Sequence, residues 1–186
     1  MNEKQALALA AVVVGGLVMS RRAEASDTDV LEEIEVTAQR LQRDGIDAIF
    51  GSQAPLGIRN RNPMNVRETD IQWEGELPHD GDGYEDFAFA GDGIRAGARV
   101  LVNYKRRHGL DTIDGIIRRY APEKDSNPTQ AYINFVADRL GVLPSTRINV
   151  ENVSTLALLA EAIIHFENGE QPYSKQFIRK HVGRAL

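Results

Sequence analysis

Hydrophobic positions recur at helical spacing over most of the second half of the chain, most clearly from Val153 to Tyr173, VSTLALLAEAIIHFENGEQPY. On a wheel centred on Leu156 and stepped at about 100° per residue, Val153, Leu159, Ala160, Ile163, Ile164 and Phe166 lie within roughly 80°. Glu167 falls at about 20°, inside that apolar stripe, whereas Glu161 and His165 face the other way. Asn152 or Ser154 is available as N-cap, and Asn168-Gly169 is a C-terminal stop. A carboxyl on the buried face of a last helical turn is desolvated and sits at the negative end of the helix dipole. Both effects raise its pKa, which suits a proton donor near neutral pH. The competing reading is a helix-terminal glutamate turned to solvent at a frayed end.

The same pattern places the other elements. A helix opens at Asp92 or Gly93 and runs to His108, with Ile94, Ala98, Leu101, Val102 and Tyr104-Lys105 on its inner edge and Gly109 as its stop. Thr112 to Tyr120 forms a second, ended before Pro122. Asn127-Pro128 opens a third as N-cap and N1, running to Leu140 and closing at Gly141. Pro144 to Asn152 is a linker, and Ser174 to Val182 a last helix. Alternation at Phe87-Ala88-Phe89, after the turn-rich ELPHDGDGYEDF, predicts a short strand. The fold class is mainly α (α+β): a helical domain with a small β-hairpin, preceded by an N-terminal hydrophobic helix.

That N-terminal segment, Ala6 to Met19, is an unbroken apolar run between Lys4 and Arg21-Arg22. Spanning a bilayer takes about 20 residues, so residues 4–20 reach that length only with their flanking cations snorkelling. Ala23-Glu24-Ala25 fits a signal-peptidase site, but two arginines just before it speak against cleavage. A retained membrane anchor is the preferred reading and a cleaved signal the alternative. Val30 to Arg43 carries apolar residues at Val30, Ile34, Ala38 and Leu41, an amphipathic helix. Its string LEEIEVTAQR is similar to the start of the plug of TonB-dependent receptors, with no barrel sequence behind it. The chain thus divides into an anchor or signal segment (1–25), an amphipathic helix and linker (26–56) and a helical domain (57–186).

Composition narrows the chemistry. With 186 residues and no cysteine, the chain holds one domain without disulfides or thiolate metal sites. A net charge of −5 argues against a general nucleic-acid partner. His79, His108, His165 and His181 are scattered, and His165-Phe166-Glu167 lacks the cysteines that a zinc deaminase needs. Asp80, Asp82 and Glu85 miss the glycine and terminal glutamate of a calcium loop and read as turn residues. No nucleophile elbow, P-loop or dinucleotide fingerprint is present. Neither a metal nor a cofactor is expected, and carboxylate chemistry remains.

Gly57 to Arg67, GIRNRNPMNVR, alternates Arg59, Arg61 and Arg67 with Asn60, Asn62 and Asn65 around Pro63, a tight loop of local Asn hydrogen bonds. Neutral donors and acceptors beside cations also suit a sugar polymer bearing acetamido and carboxylate groups. Trp73 follows closely, either as core or as a face on which a sugar ring stacks.

Taken with Trp73-Glu74-Gly75, Gly93-Ile94-Arg95-Ala96, Tyr120-Ala121-Pro122 and Glu167-Asn168-Gly169, this loop resembles a family of bacteriophage and prophage virion proteins. Their usual string is RGIRNNNPGNIR, followed by WxG, GIRA, WAP, a TxxY helix and a closing HENGxxPYS. The likeness runs in order from about Gly57 to Val182. That family in turn resembles the lysozyme superfamily (lytic transglycosylases and N-acetylglucosaminidases) with its segments permuted. The resemblance implies a lysozyme-like domain that cuts β-1,4 bonds of peptidoglycan during genome entry or lysis. Glu167 would be the catalytic acid, and Asn62, Asn65, Trp73 and Tyr132 would hold the glycan. The basic helix Arg95–Arg107 would attract the carboxylates of the peptide stems. Glu74, Glu85 and Asp86 are candidates for a second carboxylate, without which a transglycosylase route is favoured over hydrolysis. The expected partners are glycan strands, the membrane through residues 4–20, and other virion proteins. The expected location is a membrane-associated virion, or else the bacterial inner membrane and periplasm. Three departures from the family pattern, Arg61 for Asn, Met64 for Gly and Phe166 for His, fit the alternative of a non-catalytic virion structural protein that binds the cell wall.

Overall fold

Asn152 begins the central helix by capping it: its Oδ1 accepts from the backbone N–H groups of Ser154 and Thr155, at 3.0 and 3.1 Å. In the computed structural model, which describes residues 54–78, 81–125 and 127–186, this helix spans Val153–Asn168 and ends at Gly169 with φ 73°. Residues 4–20, the 1–25 segment, the 26–56 segment up to residue 53, His79 and Asp80 lie outside the described residues. Among the described residues no helix is long and apolar enough to cross a membrane.

In chain order the elements are α1 (Leu56–Arg59), β1 (Glu76–Leu77), β2 (Asp86–Phe87), α2 (Ala90–His108), α3 (Ile113–Tyr120), a single 3₁₀ turn (Glu123–Asp125), α4 (Thr129–Leu140), α5 (Val153–Asn168) and α6 (Lys175–Gly183). The described part is mainly helical, with β1 and β2 antiparallel and Glu76 opposite Phe87. Helix α5 packs against α6, α4, α1 and α2. Its Leu156, Leu159, Ile163 and Ile164 are fully buried, each worth about 1.5–3 kcal/mol relative to an exposed side chain.

Three boundaries differ from the sequence expectation. The strand stops at Phe87 because Ala88 donates its N–H to Gly75 O (2.8 Å) and Phe89 becomes the cap residue of α2. Helix α2 therefore starts at Ala90, earlier than Asp92. Helix α4 begins at Thr129, with Pro128 in the cap position. Asn127 does not cap it; its Nδ2 donates instead to Pro122 O at 3.1 Å. The linker before α5 is pinned rather than loose: Ile148 N donates to Asp111 O (2.7 Å), and the Asp111 side chain receives Lys105 and Arg147.

The asparagine loop and α2 meet at unusually short range. A Cβ on Gly93 would stand 2.3 Å from Arg61 O, and one on Gly97, a turn later, 2.6 Å from Met64 Sδ. Both glycines let the helix press on the loop, and Met64 is completely buried there. Met64 has negative φ; among the described non-glycine residues, those with positive φ are Arg61 (51°) and Asn65 (47°). The missing family glycine at 64 thus leaves no backbone strain at that position. Strain sits at Arg61, where Asn is the residue type that tolerates αL better.

Candidate active site

Helix α5 delivers Glu167 in its last turn, and the asparagine loop meets it there. Asn65 Nδ2 donates to Glu167 Oε2 at 2.8 Å, and the Tyr132 hydroxyl of α4 donates to Oε1, also at 2.8 Å. The loop is locked to α5 by the next residue: Asn168 Nδ2 donates to Pro63 O (2.8 Å) and to Ile164 O (2.7 Å). Beneath this clamp lies Gly57, whose Cβ, if present, would stand 2.5 Å from Asn65 Oδ1 and 2.7 Å from Asn168 Oδ1. Only glycine leaves room for both amides around the acid.

Burial raises the pKa of Glu167; the donors Asn65 and Tyr132 and the charge of Arg67 pull it back without reversing the shift. Burial also lifts Tyr132 and Tyr120 well above the ordinary phenol value, with the Glu167 charge adding to it. Tyr132 therefore stays protonated and donates to the carboxyl. Its ring stacks on Phe166 at 3.8 Å between centroids. The Tyr120 hydroxyl donates to Met64 O, fixing the other side of the loop.

Beside Asn65 opens a cleft of about 440 Å³. Trp73, Val100, Tyr104, Tyr120 and Pro122 form apolar wall, and Arg67, Arg107, Arg119, Lys124 and Asp125 supply its charges. Arg67 pairs with Asp125 at 3.3 Å, and the Arg119 guanidinium lies 5.1 Å from the centroid of the Tyr104 ring.

The five residues singled out in the sequence therefore separate. Asn65, Tyr132 and Glu167 come together in one hydrogen-bonded set. Trp73 stands on the cleft wall, packed against Val66, Phe87 and Ala96, so it is core on one side and lining on the other. Asn62 is a correction: it is 0% exposed, its Nδ2 donates to Val66 O and Glu85 O, and its Oδ1 accepts from Val66 N. That amide ties the loop to the hairpin and offers nothing to a ligand. Tyr132 is a partial correction, because at 1% exposure it holds Glu167 rather than lining the cleft.

The second-carboxylate candidates lie elsewhere. Glu74 is exposed and pairs with Arg95 and Arg184. Glu85 is buried and accepts from Thr69 N and Oγ1, and Asp86 is in β2 opposite Leu77. The basic helix is also partly committed: Arg95 faces Glu74, and Arg106 faces Glu151 at 2.8 Å. Among the described residues no group of three or more His, Asp or Glu is placed to hold a metal. Tyr120 and Asn168, which were not among the candidate site residues, also hold the loop in place. Both stand inside the motifs Tyr120-Ala121-Pro122 and Glu167-Asn168-Gly169, which was the available signal.

The described residues define a mainly helical domain with a two-stranded sheet and a mostly buried acid beside a basic cleft. No family model matches the chain. It is 43% identical over 133 residues to Protein P5 of Pseudoalteromonas phage PM2, covering 69% of this chain and 81% of that protein. The chain belongs to the family of that phage protein. The resemblance drawn from the motifs holds at the level of a bacteriophage protein.

Proposed function

We propose that this protein is a virion component that cuts the glycan strands of peptidoglycan, with Glu167 as its acid and a permuted lysozyme-like domain as its scaffold. The observation that carries the reading is the setting of Glu167. It is mostly buried, its pKa is raised by desolvation, and both its oxygens are held by donors from two other elements. A carboxyl whose burial favours the protonated form is suited to give its proton to the bridging oxygen as the C1–O bond breaks. The resulting carboxylate is stabilised by Asn65 and Tyr132. In a transglycosylase route, an internal sugar hydroxyl attacks C1 and returns its proton to Glu167, so one acid serves both halves. Two of the candidate partner carboxylates are engaged elsewhere, Glu74 with Arg95 and Arg184 and buried Glu85 with Thr69, which favours that route over hydrolysis with a partner carboxylate. The virion assignment rests on the phage relative, and membrane attachment on residues 4–20.

The second reading is a virion protein that grips the wall without cutting it. It is favoured by the departures from the motif pattern at Arg61, Met64 and Phe166. Peptidoglycan zymography separates the two. Clearing by wild type and not by Glu167→Gln is the expected result. Equal clearing by both removes Glu167 from the mechanism, and no clearing by wild type supports the binder.

A further inference from the structure

The cleft beside Asn65 carries four cations, Arg67, Arg107, Arg119 and Lys124, against one carboxylate, Asp125, in a chain of net charge −5. They come from separate elements: the asparagine loop, the end of α2, the end of α3 and the 3₁₀ turn. Asp125 engages Arg67. Among the described residues, Arg107, Arg119 and Lys124 form no ion pair. Like charges gathered in a concave site repel one another, and an anionic ligand relieves that repulsion. A bare glycan strand, with one lactyl carboxylate per disaccharide, gains less from such a rim than a strand whose peptide carries several. Trp73 and Tyr104 on the same wall provide apolar faces for the ligand's body.

We infer that this cleft recognises the carboxylates of a peptide attached to the glycan, so that the protein engages peptide-bearing strands in preference to bare ones. Cations distributed over four positions match several spaced carboxylates better than one convergent phosphate. The inference deepens the peptidoglycan reading and rests on it for the identity of the strand, but its test is a binding measurement that needs no turnover.

Titration calorimetry of the full chain compares an N-acetylglucosamine–N-acetylmuramic acid disaccharide bearing its peptide with the same disaccharide without it. Exposed charge contacts change affinity by only a few-fold each, so about tenfold tighter binding of the peptide form is expected. The double variant Arg107→Gln/Lys124→Gln, which removes no ion pair, should erase most of that difference, as should raising salt. Equal binding of the two ligands by wild type overturns the inference, as does an undiminished preference in the double variant. Inorganic phosphate competing as well as the peptide form overturns the choice of carboxylate. Clearing that vanishes in Glu167→Gln while both ligands bind alike sinks the cleft assignment alone. A peptide preference with no clearing sinks the enzyme reading alone.

Discussion

Two neighbouring regions treat charge in opposite ways. Around Glu167 the protein excludes most water, holds the acid with two neutral donors and packs Phe166 and Tyr132 face to face. A few residues along the same loop, the cleft leaves Arg107 and Lys124 wet and the Arg67–Asp125 pair half-exposed. In the first region desolvation pushes the acid towards its protonated form, so small geometric changes have large consequences. In the second, solvent screens each charge, so single side chains contribute little and the sum matters. Asn65 belongs to both, lining the cleft and donating to Glu167.

The largest effect expected is at the dry end. Glu167→Gln should lower peptidoglycan clearing by about 10²- to 10⁴-fold, the range a positioned acid supplies, read by dye release from labelled sacculi. Its stability should move the other way. Because the folded pKa is raised, the native state binds more protons than the unfolded chain above the ordinary value of 4.5. Stability contributed by this group is therefore full below that pH and is lost as pH rises through the folded pKa. The Gln variant escapes that loss. Its thermal midpoint relative to wild type should improve between pH 4 and neutrality, and a flat difference would break the assignment of a buried, raised acid.

Next in size is the packing that holds the loop. Met64→Ala empties a fully buried site against Gly97 and should cost about 2–5 kcal/mol in denaturant unfolding. A cost under 1 kcal/mol would mean the loop does not depend on α2 for its shape. Smaller again is the tuning of the acid. Tyr132→Phe removes a donor that favours the ionised carboxylate, so the pKa of Glu167 should rise further. The alkaline limb of the clearing profile should then move to higher pH, while stability changes by about 1–3 kcal/mol. An unmoved limb would make Tyr132 purely a packing residue. Smaller still, Arg61→Asn relieves a left-handed arginine and should stabilise by up to about 1 kcal/mol. At the wet end, Arg107→Gln should leave unfolding within about 0.5 kcal/mol of wild type.

Periodicity and capping chemistry determined the five longer helices, α2 to α6, though not the short α1 nor the first residues of α2 and α4. Apolar spacing put Glu167 on the inner face of α5, and Gly109, Gly141 and Gly169 marked three helix ends that are left-handed in the structure. These are local properties, set by backbone sterics and by one face of one helix. The same local reading could not tell Asn62 from Asn65. Three positions apart in one loop, they have the same chemistry. Only the approach of the hairpin to one, and of α5 to the other, makes the first a sealed structural tie and the second a donor to the acid. The cleft was likewise beyond sequence reach, because its cations come from four separate elements. Long-range packing, not spacing along the chain, decides which polar groups are sealed in and which meet water.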